Sequence, residues 1–234
     1  MGREAQNLVL LCLGITVAKV VLDGSYERYV KPGMWPYLLV SSAVLIVLAV
    51  FAIGADVSRG GPPPHDHAHG RSRVLWLLTV PVLVVLFLAP PALAPARSGT
   101  TANVSAADSG ELPPLPAGPA PTVGIFDVVQ RAISPGGGGL SGRPITLQGF
   151  LQPRDGRPEL AQVVIICCAA DARTYRIELS GPKAQELLTE QPKTWWRMVG
   201  TVVDGSTTVA RKNVPLFDVT SADEVPAPKN PYGY

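Results

Sequence analysis

From Tyr37 to Ala55 the chain reads YLLVSSAVLIVLAVFAIGA, without one charged residue. A helix crosses the roughly 30 Å of bilayer hydrocarbon in about 20 apolar residues. A water-facing helix of that length would carry a charged face, and this one has none. The run therefore predicts a membrane-spanning helix over about 37–55.

Two other runs extend the membrane region. One covers about 7–22 and contains Lys19; the other covers about 74–94 and contains Pro81. A lysine at mid-bilayer costs about 2.5–3.5 kcal/mol. Lys19 lies close to the end of its run, so its ammonium can reach the interface near Tyr26 and Tyr29. The competing role for this embedded polar residue is a transport-site or subunit contact. A proline inside a lipid-buried helix is tolerated where a neighbour satisfies the freed carbonyl. No A-x-A cleavage site follows the first run, so it reads as a retained helix. Residues 1–94 are thus expected to form a multi-pass region in the cell membrane, with the lipid bilayer as its first partner.

Flanking charge sets the orientation. With three spans, Arg3, Arg59, Arg71 and Arg73 share one side, and Arg28, Lys31 and Arg97 the other. The surplus places the N-terminus in the cytoplasm and everything after Ala94 outside it. The loop between the second and third runs, PPPHDHAHG, holds His65, His67 and His69 around Asp66. Imidazoles at alternating positions suit a weak divalent-metal site. A solvated polar turn explains the same composition.

Residues 95–121 are rich in Ala, Pro, Ser, Gly and Thr and lack the apolar content for a core, so they read as a semi-extended linker. Ile125, Phe126, Val129 and Ile133 then fall on about one helical face. Beyond SPGGGG the period changes from 3.6 to 2. Strands are expected over 145–151, 162–168, 174–179 and 194–203, with short pieces at 208–211 and 216–220, and a helix over 182–188. Three strands, a helix and further strands is the order of an OB-fold-like barrel over 122–226, with an SH3-like barrel as the alternative. Ile145, Leu147, Ile177 and Leu179 are inward candidates, and 227–234 reads as a tail.

A net charge of +2 and 16% charged residues give no basis for a nucleic-acid partner. Trp195, Trp196, Tyr175, Arg173 and Arg176 could be recruited to base stacking. However, adjacent tryptophans on a strand face opposite sides, and packing explains them better. No Ser-His-Asp set, phosphate loop or paired acidic motif is present, so an enzyme is not expected.

The most unusual local feature is VIICCAADAR. On a strand, Cys167 and Cys168 would point to opposite faces, one thiol buried and one exposed. Three readings fit. The cysteines pack as small apolar residues; they form a strained vicinal disulfide; or, with Asp171, they ligate zinc or another divalent ion. On the topology above, the histidine loop lies across the membrane and cannot join them.

Six stretches, EAQNLVLLCLG, AKVVLDGSYERYVKPGM, GIFDVVQRA, ITLQGFL, CCAADAR and KNPYGY, resemble the YcgQ-like family of permease subunits. The resemblance implies an accessory subunit that pairs with a separate multi-spanning permease. Together with the residue reading above, it leads to a subunit whose barrel contacts a metal ion or other small ligand through Cys167, Cys168 and Asp171. The alternative is a stand-alone, membrane-anchored extracytoplasmic thiol-redox or metal-binding protein.

Overall fold

The computed structural model describes residues 3–58, 80, 84 and 112–233. The chain divides into two compact units, Met1–Ala92 and Leu93–Tyr234.

In the first unit, α1 (Arg3–Leu22) and α2 (Trp35–Ser58) are joined through 3-10 turns at Ser25–Arg28 and Pro32–Met34. They run antiparallel. Asn7 donates to the Asp56 carboxylate at 2.9 Å, and Gly14 lies against Ile46. A Cβ on Gly14 would come within 2.8 Å of Ile46 Cγ1 and 3.2 Å of its backbone N, so glycine permits this helix spacing. The Thr16 and Ser42 hydroxyls donate to carbonyls of their own helices.

Among the described residues only Pro32–Ser58 is long and apolar enough to cross a membrane, and Gln6–Leu22 is a shorter apolar helix. The expected set of three spans is thereby reduced to one within what is described. Of the third run only Val80 and Val84 are described, both helical. The loop bearing His65, His67 and His69 lies outside the described residues. Lys19 reaches Asp23, one turn on, at 3.2 Å, so its charge is met by a neighbouring carboxylate at the end of the helix.

The second unit opens with α3 (Ile125–Ile133), followed by β1 (Ile145–Leu151), β2 (Glu159–Val164) and β3 (Arg173–Ser180). A short α4 (Pro182–Glu186) leads to β4 (Trp195–Val202), β5 (Leu216–Val225) and β6 (Tyr232–Gly233). β1 pairs with both β2 and β4, β4 with β5, β5 with β3, and β3 with β2, which closes a five-strand barrel. All these pairings are antiparallel except β3–β5. Ile145, Leu147, Ile177 and Leu179 point into the core with Leu151, Leu160, Met198 and Phe217. Gly200 stands at a register shift where β4 crosses β5, and a Cβ there would collide with the Asp218 carbonyl. α3 buries Ile125, Val128 and Val129, while Phe126 and Ile133 pack half-buried at its sides.

Four sequence expectations change. Residues 208–211 are not strand: Val209–Arg211 forms a 3-10 turn that Thr208 caps. The tail is not free, because β6 lies parallel to Val163 and Val164 of β2. The end of the linker is docked: Arg131, nearly fully buried on α3, donates to the Pro113 carbonyl at 2.7 Å, and Thr146 binds the Ala120 and Pro121 carbonyls. Finally, β2 spans 159–164, not 162–168, so the cysteines are not on a strand.

Candidate metal centre

The site forms where β2 leaves the barrel. Ile165 is fully buried, and its N–H donates to the Gly233 carbonyl of β6 at 3.1 Å. The next residue, Ile166, is 57% exposed. From there the chain turns through Cys167 and Cys168 into a 3-10 turn, Ala169–Asp171.

Asp171 organises the turn. Its carboxylate accepts the N–H of Ile166 at 2.9 Å, of Cys167 at 2.8 Å and of Cys168 at 3.2 Å. Its own N–H donates to the Cys168 carbonyl at 3.0 Å. The bond back to Cys168 is half of a capping box, with the acid three residues after the cap. Cys-Ala-Ala-Asp at this spacing was the available signal that a turn, and not a strand, begins here. The ladder role of Gly233 had no such signal.

Because a turn replaces the strand, the thiols do not diverge to opposite faces. Their sulfurs are 3.7 Å apart, both are free thiols, and Cys167 is exposed while Cys168 is half-buried. One ligand atom from each of Cys167, Cys168 and Asp171 lies within 4.8 Å of the other two. Donors around a tetrahedral zinc ion sit about 3.5–3.8 Å apart, given Zn–S of about 2.3 Å and Zn–O of about 2.0 Å. Side-chain adjustments of roughly an ångström would therefore let these residues hold such an ion.

The electrostatics follow from the same contacts. Partial desolvation pulls the Asp171 carboxyl upward, but the Cys167 thiol and the three backbone N–H groups outweigh it and hold the group at about 2. The hydrogen bond to Asp171, reinforced by Cys168, pushes the Cys167 thiol up to about 11. The Cys167 thiol therefore keeps its proton until a cation displaces it.

The other singled-out residues lie elsewhere. Lys19 belongs to the first unit. Trp196 sits in the barrel core, Trp195 is buried edge-on to Phe150 at 6.0 Å, and Tyr175 packs on Phe126 at 4.6 Å. Arg176 is buried in an ion pair with Glu159 at 3.1 Å. These contacts place the aromatic rings in packing and give them no open stacking surface.

Comparison with known families gives two matches: the DUF1980 N-terminal domain over residues 5–106 and the DUF1980 C-terminal domain over residues 136–234. No curated protein matches the chain. The second match contains the thiol turn and every strand of the barrel, the first contains the helical hairpin, and the chain belongs to the DUF1980 family, whose domains are of unknown function.

Proposed function

We propose that the chain is a non-enzymatic accessory subunit of a two-component membrane permease, and that its barrel domain presents a binding site for a borderline divalent metal ion. The observation that carries the metal reading is the convergence of two free thiols and a carboxylate on one exposed turn. The donor set is of the sulfur-rich kind that zinc prefers over magnesium or calcium. The barrel reads as an OB type, supported by the closed order β1-β2-β3-β5-β4, the parallel β3–β5 pair and the helix between β3 and β4.

Anchoring rests on the apolar helix Pro32–Ser58, whose Val40, Val44, Val47 and Phe51 side chains are exposed. In this reading those residues face lipid or a partner's helices, the region is multi-pass, and the barrel is extracytoplasmic. The permease partnership rests on the sequence resemblance.

The test is purification of the full-length protein from membranes, with metal content and co-purifying proteins both measured. The expected result is about one zinc-class ion per chain, lost in Cys167→Ser and Cys168→Ser, together with a multi-spanning protein. Equal metal content in the parent and both variants would remove the metal reading. Metal without a partner would favour the stand-alone protein.

A further inference from the structure

Two sulfurs that share one metal ion are spaced by the ion's geometry. At a metal–sulfur bond of about 2.3 Å, a tetrahedral angle sets them about 3.8 Å apart, and a linear two-coordinate ion about 4.6 Å. Cys167 and Cys168 hold their sulfurs 3.7 Å apart. Free thiols in contact share that spacing, so the pair meets a tetrahedral ion with no opening of the turn. A linear ion would have to spread the pair by about 0.9 Å, against a backbone pinned by Asp171 at 166, 167 and 168.

Asp171 completes the chain's own donors. A carboxylate has about four lone-pair positions, and three are taken by the N–H groups of Ile166, Cys167 and Cys168. The Cys167 thiol takes about one more, and loss of its proton on loading frees that position for a single metal–oxygen bond. Among the described residues no fourth His, Cys, Asp or Glu joins the group. The flanking Ala169, Ala170 and Ala172 carry no donor side chains, and Cys167 and Ile166 face outward. Closed structural zinc sites use four protein ligands, whereas sites that exchange a ligand keep one position open.

We infer that Cys167, Cys168 and Asp171 form a three-donor tetrahedral site for a divalent ion, with a fourth position filled from outside the chain, so that the site hands metal on by ligand exchange. The inference rests on the metal reading above. Loading is a substitution: one divalent ion enters, the two S–H bonds break, two protons leave to solvent, and no electron moves. Water holds the fourth position at rest. An incoming thiolate or imidazole displaces it, and Cys167, the outermost donor, is the first to be released.

The test uses full-length protein in detergent carrying His65→Ala, His67→Ala and His69→Ala, with Co²⁺ as the probe. The expected result is one Co²⁺ per chain with the intense visible spectrum of a tetrahedral ion, and sulfur charge-transfer bands that weaken in Cys167→Ser and Cys168→Ser. Millimolar imidazole should then shift those bands with one Co²⁺ retained. A weak six-coordinate spectrum, bands indifferent to imidazole, or stripping of the ion at that concentration overturns the open tetrahedral site and leaves metal binding standing. No Co²⁺ or Zn²⁺ bound, in this variant and in the parent alike, overturns both.

Discussion

Asp171 and Cys167 are joined through backbone and side chain together: the carboxylate accepts the Cys167 N–H at 2.8 Å and also the hydrogen bond of its thiol. One residue thus folds the turn and keeps the outer thiol protonated. Shape and chemistry at this site are consequently linked.

Removing the carboxylate should release the backbone as well as a donor. In Asp171→Ala the amides of Ile166, Cys167 and Cys168 lose their acceptor. Hydrogen exchange at these positions should rise by at least about tenfold, since one hydrogen bond to a charged group contributes about 1.5–3 kcal/mol. The barrel strands should keep their protection. Unchanged exchange at 166–168 would show that the turn is held by something else.

β6 should matter to the thiol turn more than to the barrel. Five strands close without it, yet Gly233 holds the Ile165 N–H that precedes the turn. Tyr232→Ala removes a buried ring from β6. Supporting contacts outside the ligand set typically alter metal affinity about 10–100-fold, and a loss in that range is expected here. Tyr232→Phe, which keeps the ring, should restore most of it. A Co²⁺ titration beside circular dichroism separates the two effects; if the affinity of Tyr232→Ala equals that of the parent, the coupling is absent.

The ion pair of Glu159 and Arg176 is buried on both sides, with side chains 9% and 4% exposed. Glu159→Gln strands a buried guanidinium and should cost about 3–5 kcal/mol. The double variant Glu159→Leu with Arg176→Met should recover to within about 1 kcal/mol of the parent. Burial pushes the Glu159 carboxyl up, with Arg176 and Arg154 pulling it partly back. A raised folded value means that this group favours folding at low pH and that its contribution is lost as pH rises through that value. Denaturant unfolding followed by Trp195 and Trp196 fluorescence, in the parent and in Glu159→Gln at several pH values, measures both. A double variant no more stable than the single one would refute the pairing argument.

In the helical hairpin, Gly14 sets the approach of α1 to α2. Gly14→Ile places a branched side chain where a Cβ alone already meets Ile46 at 2.8 Å. Overpacking of this kind costs about 1–3 kcal/mol. Asn7→Cys with Asp56→Cys, in a Cys12→Ala background, replaces the pair that now hydrogen-bonds at 2.9 Å. Its oxidative crosslinking should be efficient with Gly14 and should fall sharply with isoleucine.

How far the sequence could be read is clearest in particular segments. ITLQGFL alternates with a period of two and is β1 over the same residues, with Ile145 and Leu147 inside. The apolar run at 37–55 is α2, which begins earlier at Trp35 because the Pro32–Met34 turn leads straight into it. The strand at 162–168 was displaced because ILE-ILE-CYS-CYS continues an apolar pattern, while the capping bond from Asp171 that ends it depends on the turn itself. KNPYGY, short and rich in turn formers, gave no periodic signal for a strand.

By itself the sequence determined which segments are apolar enough for lipid and which alternate enough for a sheet. Those are properties of neighbours along the chain, where helix and strand periods are written directly. Only the tertiary structure decided that β1 closes on β4, that β5 lies parallel to β3, that β6 docks beside β2, and that both thiols face one carboxylate. Each of these is a pairing between residues brought together by the packing of the barrel, and a register set across space leaves no period in the chain.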